Sequence, residues 1–109
     1  MDIRTIDDRF ATTGQIRPED VSALKAQGYI GIVCARPDGE EAGQPDFAEI
    51  AAAAQRAGLP AFHIPVSGPL TEGQIIRFSD AMAEIGDGPV LGYCRSGARA
   101  GSLYQTLDR

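Results

Sequence analysis

Apolar residues occur along this chain in short blocks separated by Gly and Pro, and the spacing within each block indicates an element. Residues 9–13 hold Phe10 as an apolar anchor and stop at Gly14, which predicts a first short strand. Arg17-Pro18-Glu19-Asp20 opens a helix, because Pro suits a first turn and two acids complement the helix dipole. Val21, Leu24 and Lys25 continue it, and Gly28 stops it. Residues 29–35 are rich in Ile and Val and predict a buried strand. A turn sequence follows, from Arg36-Pro37-Asp38-Gly39 through Gly43-Gln44-Pro45. Residues 46–57 form an alanine-rich helix with Phe47, Ile50 and Ala54 on one face, closed by Gly58. Residues 59–66 predict the third main strand. Thr71 and Gln74 have capping-box spacing and open a helix to about Ile85, with Ile75, Phe78, Met82 and Ile85 as its stripe. Residues 89–93 form a last apolar strand and residues 100–107 a last helix.

Strands alternate with helices, and the connections are long enough for crossovers. The expected fold is a three-layer α/β domain: a mostly parallel sheet with helices on both faces. Such sheets bind ligands beyond the carboxyl ends of their strands. Cys94, Arg36 and Ser67 all fall at such ends.

Composition narrows the possibilities. A chain of 109 residues corresponds to one small domain, residues 1–109, and its last helix is short or cut. A net charge of -5 argues against nucleic-acid or anionic-membrane binding. No apolar run approaches a membrane span, and the polar N-terminus lacks a leader's apolar core. Two widely separated cysteines, Cys34 and Cys94, do not suggest a disulfide scaffold. The expected compartment is cytoplasmic.

The chemistry concentrates in Cys94-Arg95-Ser96-Gly97-Ala98-Arg99. A cysteine after an apolar strand is usually a small buried hydrophobe. A following loop with two arginines and a glycine is a poor core segment and reverses that expectation. A tight loop ahead of a helix can converge its N–H groups on one point and hold an anion. Gly97 permits the necessary backbone bend, and Arg99 adds a planar fork of donors. Loop amides, helix N-terminus and the two guanidiniums all favour thiolate, so the Cys94 pKa should lie below the free value of about 8.5. The expected catalytic pair is Cys94, as nucleophile, with Arg99, and the expected anion-binding set is Arg95, Ser96, Gly97, Ala98 and Arg36.

This loop resembles the active-site loop of rhodanese-type sulfurtransferases, in which the cysteine carries a persulfide. It also resembles a shortened protein-tyrosine-phosphatase loop. Phosphatases place five residues between Cys and Arg; here four intervene, which removes about 3.5 Å of contour. Tyr93 stands where phosphatases usually have His, and Ala100 where they have Ser or Thr. The order of elements resembles the dual-specificity-phosphatase fold. The segment from Arg36 through Pro45, with Ile64-Pro65-Val66 and the cysteine loop, resembles a bacterial family of phosphatase-like domains. These occur alone or fused to metallo-beta-lactamase-like hydrolases, and members are described both as phosphatase-like and as sulfurtransferases. The resemblance implies a small anionic substrate, and such a hydrolase as a partner.

Other residues carry two readings. Cys34 is a packing residue or a thiol that resolves an oxidised or persulfidated Cys94. His63, the lone histidine, reads as structural, since no carboxylate or cysteine stands at ligand spacing; no metal and no cofactor are expected. Arg36 is an outer guanidinium guarding the pocket or a solvent-facing turn residue paired with Asp38 or Glu40. Phosphatases of the resembled fold carry a general-acid aspartate on the loop after the third strand. Here that loop, Ser67-Gly68-Pro69-Leu70-Thr71-Glu72, has none; Glu72 is the nearest candidate acid, with Asp38, Glu40 and Glu41 as alternatives on another loop. The favoured reading is therefore sulfur transfer from a donor such as thiosulfate or glutathione persulfide. The alternatives are phosphomonoester hydrolysis through a cysteinyl phosphate, and a non-catalytic anion-binding or redox-sensing module.

Overall fold

The computed structural model describes residues 1–107. In chain order they form β1 (Arg4–Thr5), β2 (Phe10–Thr13), a 3-10 turn at Pro18–Asp20, α1 (Val21–Ala26), β3 (Gly31–Cys34), α2 (Phe47–Ala57), β4 (Ala61–His63), α3 (Glu72–Ile85), β5 (Val90–Tyr93) and α4 (Ala98–Gln105). The sheet order is β1-β2-β5-β3-β4, with β1 antiparallel to β2 and every other pair parallel. The expected three-layer, mostly parallel architecture is present.

Each sheet face carries its own core. On one side α3 and α4 bring Phe78, Met82, Leu103 and Tyr104 onto Phe10, Val33 and Val90. On the other, α1 and α2 bring Leu24, Ile50 and Ala54 onto Ala11, Ile32 and Leu91. The alternation follows from the two-residue period of a strand. Phe10 is the hinge of the first core: its ring stacks on Tyr104 at 4.5 Å and meets Phe78 edge-on at 5.7 Å. Burying a side chain such as Phe78 contributes about 1.5–3 kcal/mol.

Local chemistry sets the ends. Thr71 Oγ1 accepts the Gln74 N–H at 3.1 Å and Gln74 Oε1 accepts the Thr71 N–H at 2.9 Å, the predicted capping box. Gly58 ends α2 in the left-handed region at φ 77°. The structure departs from the sequence reading in three places. First, β1 pairs with β2 as a hairpin, so strands and helices do not alternate throughout; two residues carry no readable period. Second, β4 is shorter than the apolar run at 59–66. Pro65 has no N–H and interrupts the ladder, although Ile64 and Val66 still donate to Cys34 and Ala35 carbonyls at 2.8 and 3.0 Å. Third, α4 begins at Ala98, two residues early, and ends at Gln105. Arg99 therefore belongs to the helix.

Candidate functional site

The site is built at the carboxyl ends of the three central strands. Thr13, Cys34 and Tyr93 lie level in the register of β2, β3 and β5. Cys94 is the first residue beyond, tied back by its N–H to the Thr13 carbonyl at 3.4 Å. β5 sits between β2 and β3, which the chain joins by crossing over it, so Cys94 occupies the place where the winding reverses.

From there the chain turns in three residues and enters α4. Gly97 makes the turn at φ 95°, and a Cβ on it would press against Thr12 at 3.3 Å. Gly14 lets the β2 exit pass close beneath the loop; a Cβ there would come within 2.8 Å of the Arg95 carbonyl oxygen. The result is a ring closed on the Cys94 sulfur. The Gly97 N–H donates to Sγ at 3.1 Å. Burial alone pushes the thiol up, but the N–H groups of Ala100, Ser96, Arg99 and Gly97 outweigh it and hold Cys94 below an ordinary cysteine. The residue is fully buried.

Arg99 leaves the first turn of α4 and is clamped. Its Nη1 donates to Glu40 Oε2 and to the Val66 carbonyl, both at 2.8 Å, and its Nη2 donates to Glu40 Oε1 at 2.9 Å. Glu40 raises the Arg99 pKa most, burial opposes, and Cys94 adds to the rise. In return Arg99, and after it Arg36, hold the Glu40 carboxyl down at about 2.

Arg36 makes the Glu40 pair expected of it but not from a solvent-facing position. It is 2% exposed, so it is not a solvent-facing turn residue, and each of its three nitrogens donates within the protein. Nε donates to Glu40 at 2.9 Å, Nη1 to Gln15 at 3.0 Å and Nη2 to Glu41 at 3.1 Å. Its acidic partners are Glu40 and Glu41, not Asp38. The turn that carries these acids is itself pinned. Gln44 accepts the Glu40 N–H at 3.1 Å and donates to the Pro37 carbonyl at 2.9 Å, while Asp38 accepts the Phe47 N–H at 2.8 Å.

The remaining candidates separate. Arg95, Ser96 and Ala98 are exposed at the rim, and Arg95 has no side-chain hydrogen bond or ion pair among the described residues. Cys34 packs in the α1/α2 core, whereas Cys94 packs in the α3/α4 core. Its thiol donates to the Arg36 carbonyl at 3.4 Å, and burial pushes its pKa up. Glu72 is exposed at the start of α3 with no bond to the loop. His63 donates from Nε2 to the Arg36 carbonyl at 2.8 Å and stacks on Phe47 at 4.7 Å. Among the described residues no cluster of His, Cys, Asp or Glu is arranged to hold a metal. A cleft of about 570 Å³ borders the loop at Ser96 and Gly97 and reaches Arg4 and Thr12. Cys94 does not line it. Sequence reasoning passed over Glu40 as the clamp, Gln15 as an Arg36 acceptor and the Val66 carbonyl.

Residues 2–107 match the family described as beta-lactamase hydrolase-like protein, phosphatase-like domain. The chain is 46% identical over 100 residues to a beta-lactamase hydrolase-like protein of Agrobacterium fabrum, and 42% identical over 105 residues to one from Xylella fastidiosa. These alignments take in 91% and 95% of the chain but only 23% and 24% of the relatives, so the chain spans about a quarter of their length. A solved Neisseria meningitidis protein, proposed to be a phosphatase, superposes with a TM-score of 0.82 at 32% identity, covering 95% of this chain and 74% of that one. A mutant form of Tk-PTP superposes with a TM-score of 0.66 at 16% identity, covering 95% and 77%, a likeness of fold alone. These likenesses support the phosphatase alternative better than the sulfur-transfer reading. Among the described residues no helix is long and apolar enough to cross a membrane.

Proposed function

The chain belongs to the phosphatase-like domain family of beta-lactamase hydrolase-like proteins. From the geometry of its cysteine loop we propose that it is a cysteine-dependent transferase that carries a sulfane sulfur on Cys94. The observation behind this reading is where the loop amides point. The Gly97 N–H donates to Sγ at 3.1 Å, and the N–H groups of Ala100, Ser96 and Arg99 help hold the Cys94 pKa down. A loop with only four residues between Cys94 and Arg99 suits one sulfur atom, whereas a transferring phosphoryl group presents three equatorial oxygens that must all be seated.

The reaction balances without a cofactor. The Cys94 thiolate attacks the outer sulfur of a donor such as thiosulfate. A new S–S bond forms, the donor's S–S bond breaks, and sulfite leaves with the bonding pair. An acceptor thiolate then attacks the terminal sulfur, takes it as its own persulfide and returns Cys94 as thiolate. Neither step protonates an alkoxide, consistent with an exposed Glu72 that makes no bond to the loop.

Phosphate-ester hydrolysis is the second reading, and the comparisons favour it. Clamping by Glu40 fixes the Arg99 guanidinium beside the nucleophile, as an oxyanion would need. Cys94 would displace the alcohol to form a cysteinyl phosphate, which water would cleave. Mass spectrometry of Cys94 after exposure to thiosulfate or to a phenyl phosphate ester separates the two. A gain of one sulfur atom is expected; a gain of one phosphoryl group instead would put hydrolysis first. Neither adduct, with retained anion binding, would leave a binding module. The whole relatives' length implies further domains, and we propose a metallo-beta-lactamase-like hydrolase as the partner.

A further inference from the structure

We infer that the cleft between β1 and α4 is the sulfur-acceptor site, and that Arg4 selects there an organic thiol carrying a carboxylate. The inference rests on the sulfur-transfer reading and adds the acceptor to it. The cleft holds about 570 Å³, within the range of small-ligand pockets. One wall comes from β1 and its flanks. Ile3 packs on the α1/α2 core, so strand alternation puts Asp2, Arg4 and Ile6 on the α4 side, where they line the cleft. The other wall is the face of α4 from Gly97 through Gly101 to Gln105, about 12 Å of helix.

Three features of these walls are left open by the protein's own packing. Among the described residues Arg4 makes no ion pair and no side-chain hydrogen bond, not even with Asp2 in the same cleft. Ile6 is 44% exposed, an apolar surface without cover. Gly101 stands inside α4, where glycine weakens a helix relative to alanine, yet a Cβ on it would meet only Thr12 Cγ2 at an ordinary 3.9 Å. No described neighbour requires that glycine; a ligand lying along α4 would. Gly97 links the cleft to the chemistry, because it lines the cleft and donates its N–H to Cys94 Sγ at 3.1 Å. Cys94 is buried, but an acceptor needs to reach only the terminal sulfur of its persulfide, about 2 Å beyond Sγ. There the acceptor thiolate, its proton already lost to water, forms the new S–S bond. The bond to Cys94 breaks, and its electron pair returns Cys94 as thiolate. A carboxylate on the acceptor meets Arg4, its carbon skeleton meets Ile6 and Gly101, and Asp2 can accept an N–H.

The test loads Cys94 from thiosulfate and compares cyanide, N-acetylcysteine and N-acetylcysteine amide as acceptors. Cyanide, which leaves as thiocyanate, is too small to need the cleft, and the two thiols differ by one carboxylate. Arg4→Gln should lower kcat/KM for N-acetylcysteine relative to its amide at least about fivefold, since the lost contact is charge-assisted. Gly101→Leu, which fills the cleft from α4, should lower kcat/KM for both thiols relative to cyanide at least about tenfold. Unchanged ratios in the folded variants overturn the inference and leave sulfur transfer standing. Occupancy is read separately on the wild type, by amide NMR shifts during titration with N-acetyl-S-methylcysteine, which cannot accept sulfur. The shifts should concentrate at Arg4, Gly97, Gly101 and Ser102. Shifts only elsewhere, or none at tens of millimolar, overturn the inference even if a variant fails to fold. Shifts at those residues in a protein that turns over no acceptor keep the cleft as the ligand site and overturn the sulfur-transfer reading instead.

Discussion

The Gly97 N–H points at the Cys94 sulfur from 3.1 Å, and it can do so because Gly97 holds φ 95° against Thr12. This contact is one of four amide contributions that together overcome the burial of the thiol. Cys94 should therefore alkylate with a pH midpoint well below the free-cysteine value of about 8.5. A midpoint near that value would contradict the thiolate. Gly97→Ala forces a side chain into the left-handed region, which costs about 1–2 kcal/mol, and should move the alkylation midpoint upward as the ring loosens.

Cys34 should be dispensable for turnover. Its side chain lies across the sheet from Cys94, in a different core, and its thiol already donates to the Arg36 carbonyl. Burial keeps it protonated, the poorer state for attack on an oxidised partner. Cys34→Ser should retain most of the wild-type rate. Rapid peroxide-driven linkage of Cys34 to Cys94, seen as a shift on a non-reducing gel, would restore the resolving role.

Much of this architecture was legible before the structure. The glycines and prolines that bound each apolar block mark α2, α3, β3 and β5 to within a residue or two, because those residues end helices and strands for steric reasons. The reach of the Cys94 loop was legible for the same reason: two arginines and a glycine cannot pack as core. The clamp was not. Arg99 and Glu40 lie 59 positions apart, and no local pattern joins them. Arg36 misled because an arginine beside Pro-Asp-Gly reads as a wet turn, whereas three acceptors gathered by the fold satisfy it in the interior. The hairpin partner β1 escaped because two exposed residues have no hydrophobic signature.

Glu40 should make the protein acid-sensitive. Its carboxyl is held at about 2 by Arg99 and then Arg36, below the value of about 4.3 expected in the unfolded chain. A depressed carboxyl contributes stability that is complete above the unfolded value and lost as pH falls toward the folded one. Between roughly pH 5 and 2 the wild type should lose more stability than Glu40→Gln, measured by urea denaturation at each pH. Parallel curves would show that the clamp contributes nothing to folding. At neutral pH the variant should be less stable by about 1–3 kcal/mol, since the buried Arg36 loses a charged partner.

Loop length should decide between the two chemistries. Four residues separate Cys94 from Arg99, and α4 has already begun at Ala98, so the free turn is only Arg95-Ser96-Gly97. A turn that short keeps the amides on the sulfur. A glycine inserted between Ser96 and Gly97 lies ahead of the helix and adds up to about 3.5 Å of contour. The amides should then open away from Sγ and admit a larger group. The insertion should raise the Cys94 alkylation midpoint and lower the rate of thiocyanate formation. It should increase phenyl phosphate hydrolysis relative to sulfur transfer by at least about tenfold, or about 1.4 kcal/mol of differential barrier. Cys94→Ser should abolish both reactions. Should the unmodified protein cleave a phosphotyrosine analogue faster than it transfers sulfur, the short ring does not exclude a phosphoryl group, and hydrolysis is the native reaction.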